Sequence, residues 1–371
     1  MSFAEDFREL VPVTRNLVYL NHAAVSPTPL PVLYEAYRYL SKVAELGTIA
    51  VNEYEKDDFR EFREKVAKLL NVTWEEISFV PNTSFGVNVV VHGLELKEGD
   101  KVVSDSLEFP AVTDPLYKLK KRGVEVEVVR PNIESFEDDV LSRVGSRTRL
   151  VALSHVSFNT GLRADYRRIA KEVHSVGGYL LLDVIQSAGA VKVDLRDVDF
   201  AVAGGYKWLM SPQGSGFLYV RKGLIEDPPF YGWRTSKYFM EFDALKFEVE
   251  RGPRRFELGS LDVAAIAALS KSAEILSQRT EEIQERVLYL SGFTIKRLKE
   301  EEYEVVTPED RDRRAGIVVF KTLKPEEKVR RLLEKRIVVS ARGGGIRVST
   351  HFYNTPEEVE RLIEELKKLP E

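Results

Sequence analysis

The sequence predicts an α/β protein: a mostly parallel sheet flanked by helices on both faces, followed by a smaller α+β region. Three observations carry this. Between residues 77 and 220, short apolar runs alternate with amphipathic helical stretches, the order that builds a parallel sheet through helical crossovers. The runs at 179–182, 200–203 and 217–220 are apolar throughout, as strands buried on both faces are. Beyond about residue 258 the alternation stops and a long helical stretch over 261–300 begins.

Seven strands are expected, at 77–80, 101–104, 124–129, 150–154, 179–182, 200–203 and 217–220. Helices at 84–92, 110–121, 134–144 and 165–175 connect them. Two amphipathic helices, 32–46 and 52–70, precede the sheet. After 261–300 come strands near 304–306, 316–320, 336–340 and 345–349, with helices over 325–334 and 356–368. The expected division is a large domain over 14–257 and a small one over 258–371, with residues 1–13 packing on the latter.

With 371 residues, 43% of them apolar, the chain is long enough for a large core in two domains. A net charge of -4 and the lack of a long basic block argue against nucleic acid or an anionic membrane as partner. The opening MSFAEDFREL lacks a basic segment followed by an apolar one, and no apolar run reaches membrane-spanning length. A cytoplasmic protein is the expectation. Cysteine is absent, which removes disulfides, zinc–thiolate and iron–sulfur sites and any thiol nucleophile; no metal site is expected.

The chemistry concentrates between Gly178 and Val220. One apolar run ends in Asp183, with Gln186 three residues on; the next ends in Gly204-Gly205-Tyr206-Lys207; the turn Gln213-Gly214-Ser215-Gly216 leads into a third. In a parallel sheet such residues gather where the strands end at their carboxyl termini. A carboxylate, an amide and a lysine on one rim suit a cofactor with a pyridine nitrogen, a phenolic oxygen and an aldehyde, which is pyridoxal 5′-phosphate. Lys207 forms the Schiff base, because a buried amine beside a cationic ring is partly neutral. Asp183 keeps the ring nitrogen protonated, making the ring an electron sink, and Gln186 donates to the phenolic oxygen. Pro81-Asn82-Thr83-Ser84-Phe85-Gly86 joins a strand to a helix, where free N–H groups and the Thr83 and Ser84 hydroxyls make a phosphate seat.

Taken together these residues resemble the class V aminotransferase family of fold type I pyridoxal-phosphate enzymes, which includes cysteine desulfurases, kynureninases and isopenicillin N epimerases. The resemblance covers nearly the whole chain. It rests on Tyr19-Leu20-Asn21-His22-Ala23-Ala24, Asn82-Thr83-Ser84, Ser154-His155-Val156-Ser157 with Gly161, Asp183-Val184-Ile185-Gln186, Lys207, Arg255-Phe256-Glu257-Leu258-Gly259-Ser260, and Arg347-Val348-Ser349 with Tyr353-Asn354-Thr355. It implies that Arg347 grips a substrate α-carboxylate through its planar fork and that Asn21 also touches substrate. It implies that the Ser260 hydroxyl reaches the phosphate of a neighbouring subunit, hence a homodimer with shared sites.

The sequence departs from the family at several positions. Where relatives often stack His on the cofactor, this chain has Phe109, which keeps a flat apolar face and loses a proton donor. Tyr206 stands where relatives often place His before the lysine. Phe158 holds the usual Asn position, leaving either Asn159 or Thr160 to contact the cofactor. The segment before Arg347 lacks the desulfurase cysteine, so desulfuration through an enzyme persulfide is excluded. The leading expectation is an aminotransferase acting on an amino acid and a small 2-oxo acid. The alternatives are an epimerase or racemase, a β-elimination lyase of kynureninase or C–S-lyase type, and a non-catalytic scaffold.

Overall fold

A computed structural model of the chain describes residues 3–370. Its centre is a seven-stranded sheet in the spatial order Ile77–Phe79, Gly216–Val220, Phe200–Gly204, Tyr179–Asp183, Thr148–Ser154, Lys101–Asp105, Glu125–Val129. All strands run parallel except Gly216–Val220, which is antiparallel to both its neighbours. This is the expected mostly parallel sheet. The strands Tyr179–Asp183, Phe200–Gly204 and Gly216–Val220 read as almost unbroken apolar runs because successive side chains enter opposite cores. Leu180 and Leu182 join one core with Ala201 and Ala203, whereas Leu181 joins the other with Phe200 and Val202.

The register levels the carboxyl ends of the strands: Ser154 lies opposite Asp183, and Asp183 opposite Val202. Two glycines permit the close packing there. A Cβ at Gly216 would lie 2.5 Å from the Ala203 carbonyl oxygen, and one at Gly86 would lie 2.7 Å from Val202 Cγ1. Gly86 thus lets the helix Thr83–Gly93 settle directly on the sheet.

Beyond the large sheet, Ser340–Arg342, Gly345–Ser349 and Ile317–Lys321 form an antiparallel three-stranded sheet. Pro325–Glu334 and Pro356–Lys367 pack beside it. Val18–Tyr19 pairs with Ile337–Val338. Nearer the N-terminus, the Phe3 and Phe7 rings lie 5.3 and 4.9 Å from that of Phe352, and Arg8 pairs with Glu358 at 2.8 Å. Of the 1–13 segment, residues 1 and 2 lie outside the described residues.

Some elements differ from expectation. The helix expected over 52–70 is broken into Thr48–Tyr54, a 3-10 turn Lys56–Phe59 and Arg60–Leu70. Asp57, Asp58 and Phe59 take positive φ values of 50°, 55° and 60°. Tertiary partners set that break: Arg234 Nη2 donates to Asp58 Oδ1 at 2.6 Å, Arg63 Nε to the Asp58 carbonyl at 3.1 Å, and Phe59 is buried. The stretch 261–300 divides into Val263–Ser277 and Thr280–Glu300. The strand near 304–306 shrinks to one bridge, Val305 with Phe320. The strand near 336–340 becomes two short ones that serve different sheets.

A buried ionic knot anchors the edge strand. Arg63 and Glu257, both with side chains 0% exposed, meet through two N–H···O bonds of 2.6 and 2.9 Å. Arg63 also donates to the Ile77 carbonyl, and Glu257 accepts the Phe79 N–H at 2.8 Å. The strand Ile77–Phe79, which leads to Asn82, is thereby held from two directions. Removing one partner of such a pair strands a charge in a dry interior, at a cost of about 3–5 kcal/mol. Glu257→Ala should therefore lower the thermal midpoint strongly, and Arg63→Met/Glu257→Leu should recover part of the loss. An unchanged midpoint for the single variant would refute this role.

Candidate active site

The carboxyl ends of the strands border a cavity lined by Asn82, Thr83, Ser84, Phe109, Ala111, Ser154, Phe158, Asp183, Ile185, Gln186, Tyr206 and Lys207. Lys207 follows the buried strand Phe200–Gly204 and is itself 8% exposed. The backbone around it is tightly tied. Gly205 N donates to the Ser215 carbonyl at 2.7 Å, and Met210 N to the Lys207 carbonyl at 2.8 Å. The adjacent Trp208, 0% exposed, donates its indole N–H to Gln186 Oε1 at 2.9 Å, and His351 Nε2 lies 3.0 Å from its carbonyl oxygen. A lysine rooted in so fixed a segment has its amine confined to the cavity.

The Lys207 amine lies 5.6 Å from the Phe109 ring centre and 5.8 Å from that of Tyr206. Burial lowers its pKa to about 8; Arg347 and Arg342 push the same way and the Asp183 carboxylate opposes them. Asp183, 3% exposed, moves in the opposite sense. Burial raises it to about 6, held back by the Ile185 N–H, which donates to Oδ1 at 2.8 Å, and by Lys207. Near neutral pH the site thus holds a carboxylate and an amine that gives up its proton readily. That is the condition for nucleophilic attack on an aldehyde.

Asn82 caps the helix Thr83–Gly93, its Oδ1 accepting the Phe85 N–H at 2.9 Å. Thr83 Oγ1 accepts the Gly204 N–H at 3.0 Å, stitching the helix start to the end of the lysine-bearing strand, while the Ser84 side chain is exposed. Gln186 donates to the Ala23 carbonyl at 3.0 Å, which ties the N-terminal segment to the rim. Phe109 stands edge-on to Phe158, with centroids 5.2 Å apart at 89°.

Seven of the residues expected from sequence therefore line one cavity: Thr83, Ser84, Phe109, Asp183, Gln186, Tyr206 and Lys207. Others do not line it. Arg347 sits beside it, 3% exposed, donating to the Phe158 carbonyl at 3.1 Å, with Nε unpartnered. Burial and Arg342 lower its pKa to about 10, so it stays cationic. Asn21 bridges to Ser349 and leaves Oδ1 unpartnered. Asn159 and Thr160 belong to a turn. Thr160 Oγ1 accepts the Leu162 N–H at 3.2 Å, a Cβ on Gly343 would lie 2.5 Å from the Asn159 carbonyl oxygen, and Phe158 takes the place on the wall. Ser260 is exposed and lines a different cavity, with Pro81, Phe85 and Gly214. Sequence reading assigned no role to Asn82, Ser154, Phe158 and Ile185. Ser154 had a signal, since it ends a strand as Asp183 does.

The residues present fit pyridoxal 5′-phosphate. A helix start with two hydroxyls suits its phosphate, a buried carboxylate its ring nitrogen, Phe109 its flat face and Lys207 its aldehyde.

The family profile described as aminotransferase class-V matches residues 18–362. A probable cysteine desulfurase of Methanothermobacter thermautotrophicus is 30% identical over 98% of each chain. A probable cysteine desulfurase of Pyrococcus abyssi is 29% identical over 100% of this chain and 98% of its own. Among solved structures, the apo cysteine desulfurase of Thermococcus onnurineus superposes with a TM-score of 0.88 at 26% identity, over 99% of this chain and 98% of that one. On the profile match and on this site geometry, the chain belongs to the class V aminotransferase family and uses its cofactor, pyridoxal phosphate.

Proposed function

We propose that this protein is an aminotransferase that moves an amino group from an amino acid to a small 2-oxo acid. One observation carries the reading: a single amine base, Lys207, faces an apolar aromatic wall. Among the described residues lining the cavity, the titratable ones are Asp183, Tyr206 and Lys207. Pyridoxal phosphate, when bound, supplies the aldehyde that condenses with an amine and the protonated ring that draws electrons from the substrate Cα. Asp183 holds the ring's proton. Thr83 and Ser84 hold its phosphate, Gln186 its phenolic oxygen and Phe109 its face. Arg347, which has no carboxylate partner among the described residues, takes the substrate α-carboxylate, and Asn21 Oδ1 accepts from the substrate amine.

Lys207 Nζ would be the group that takes up the Cα proton and gives it back where the amino group is to be retained. A second reading has its own support. Curated relatives are named probable cysteine desulfurases, whereas this chain contains no cysteine. Carbon–sulfur cleavage would then proceed by β-elimination without an enzyme persulfide.

We infer also that the chain works as a homodimer. Leu30, Leu33, Tyr34, Tyr37 and Leu40 are exposed along one side of the helix Leu30–Leu46, and Ser260 is exposed as a hydroxyl offered to a second copy would be. Light scattering should give twice the chain mass, and Leu33→Glu/Tyr37→Glu should yield monomer that retains less cofactor. A monomeric parent protein would overturn this.

Product analysis with a panel of L-amino acids separates the two chemistries. A transferase releases one 2-oxo acid per site, without ammonia, and stops until an oxo acid is added. A lyase releases pyruvate and ammonia continuously from cysteine or cystine, which would overturn the transferase reading. Lys207→Ala should lower either activity by about a thousandfold.

The Lys207 amine should be modified by an amine-selective reagent, in cofactor-free protein, with a midpoint near pH 8. Because the Asp183 charge favours the ammonium form, Asp183→Asn should move that midpoint lower still. A midpoint at the ordinary lysine value of 10.5 would contradict the buried-amine account.

A further inference from the structure

Behind the cavity wall lies a pair of acids that the proposed chemistry does not use. Asp105 ends the strand Lys101–Asp105 and is 1% exposed. Its Oδ1 accepts the Leu107 N–H at 2.8 Å, and its buried Oδ2 receives no N–H or O–H donor. The carboxyl of Glu108 lies within hydrogen-bonding reach of this carboxyl. Glu108 in turn grips Ser154: Oε1 accepts the Ser154 N–H at 2.5 Å, and Oε2 lies 2.6 Å from Ser154 Oγ. The groups that act on Glu108 most strongly are Asp105, Ser154 and Asp183.

We propose that Asp105 and Glu108 share one proton, and that this acid–carboxylate pair positions Ser154 and Phe109 on the cavity wall. Two ionised carboxylates that rest against each other in a buried site repel strongly, so one of them keeps a proton. A proton carried by Glu108 and donated to Asp105 Oδ2 satisfies the one carboxylate oxygen that otherwise lacks a donor. Both Glu108 oxygens remain available to the Ser154 N–H and O–H. That polarity leaves the lone pairs of Ser154 Oγ turned toward the cavity, as an acceptor. Glu108 is followed directly by Phe109, whose ring faces the Lys207 amine, and Ser154 sits in register with Asp183. One shared proton therefore fixes two wall residues and limits the charge behind the wall to a single negative one.

Burial, then the Asp105 charge, raise the Glu108 pKa well above the ordinary carboxylate range. A group whose native pKa is raised in this way contributes stability that is complete below its unfolded value. That stability is lost as pH rises through the native value.

The test uses thermal melting of cofactor-free protein between about pH 5 and pH 9. The parent midpoint should fall with rising pH more steeply than that of Glu108→Gln. The glutamine amide donates to Asp105 and its carbonyl accepts from Ser154 N–H without any proton to lose. At neutral pH Glu108→Gln should melt close to the parent, and Glu108→Ala well below it. In the loaded proteins, the visible absorption of the bound cofactor should be preserved in Glu108→Gln and shifted in Glu108→Ala. Equal pH slopes for parent and Glu108→Gln, or equal destabilisation by Gln and Ala, would overturn the shared proton. The effect on the wall rests on the cofactor reading above, but the melting slopes do not. A protein that binds no pyridoxal phosphate yet keeps the slope difference would sink that reading and leave the pair standing.

Discussion

The desolvation of one amine organises this protein. Lys207 is fixed between a buried strand and Trp208, and it faces aromatic rings on two sides. Water cannot stabilise its ammonium form there, and the nearby Asp183 charge only partly compensates. The same low-dielectric setting pushes the two functional pKa values toward each other: a carboxyl near 6 and an amine near 8 bracket neutrality. Nucleophile and counter-charge are thus tuned by one physical cause.

That setting exists because strands of different origin end at one level. The register places Ser154, Asp183 and Val202 side by side, so loops following separate strands converge on a common rim. Distant segments then close it. Gln186 reaches back to Ala23, His351 approaches the Trp208 carbonyl, and Arg347 is steered by Phe158. The ionic knot of Arg63 and Glu257 holds the edge strand that leads to Asn82 and Thr83 on the cavity wall. Packing far from the cavity and chemistry inside it are parts of one arrangement.

The strands were legible because burial on both faces leaves a strong signal: runs such as 179–182 carry no polar residue to blur them. The break near Asp57–Phe59 was not legible. Its causes, Arg234 and Arg63 acting on Asp58, are tertiary, and the local pattern of charges and aromatics is that of an ordinary amphipathic helix. The cavity residues divide the same way. Asp183, Gln186 and Lys207 announced themselves by ending apolar runs in polar groups. Glu108 and Asp105 were assigned no role from sequence, because their contact exists only once the chain is folded.

Residue types and order alone determined the sheet class, the family and its cofactor, since these follow from local patterning and from functional groups at strand ends. They also determined that no thiol of this chain takes part, which follows from the absence of cysteine. Tertiary structure decided which candidates share a cavity: Phe158 lines the wall while Asn159 and Thr160 serve a turn, and Ser260 faces outward. It also decided the proton affinities of Lys207, Asp183 and Glu108. Those depend on burial and on charges brought close by folding, and a linear chain contains neither.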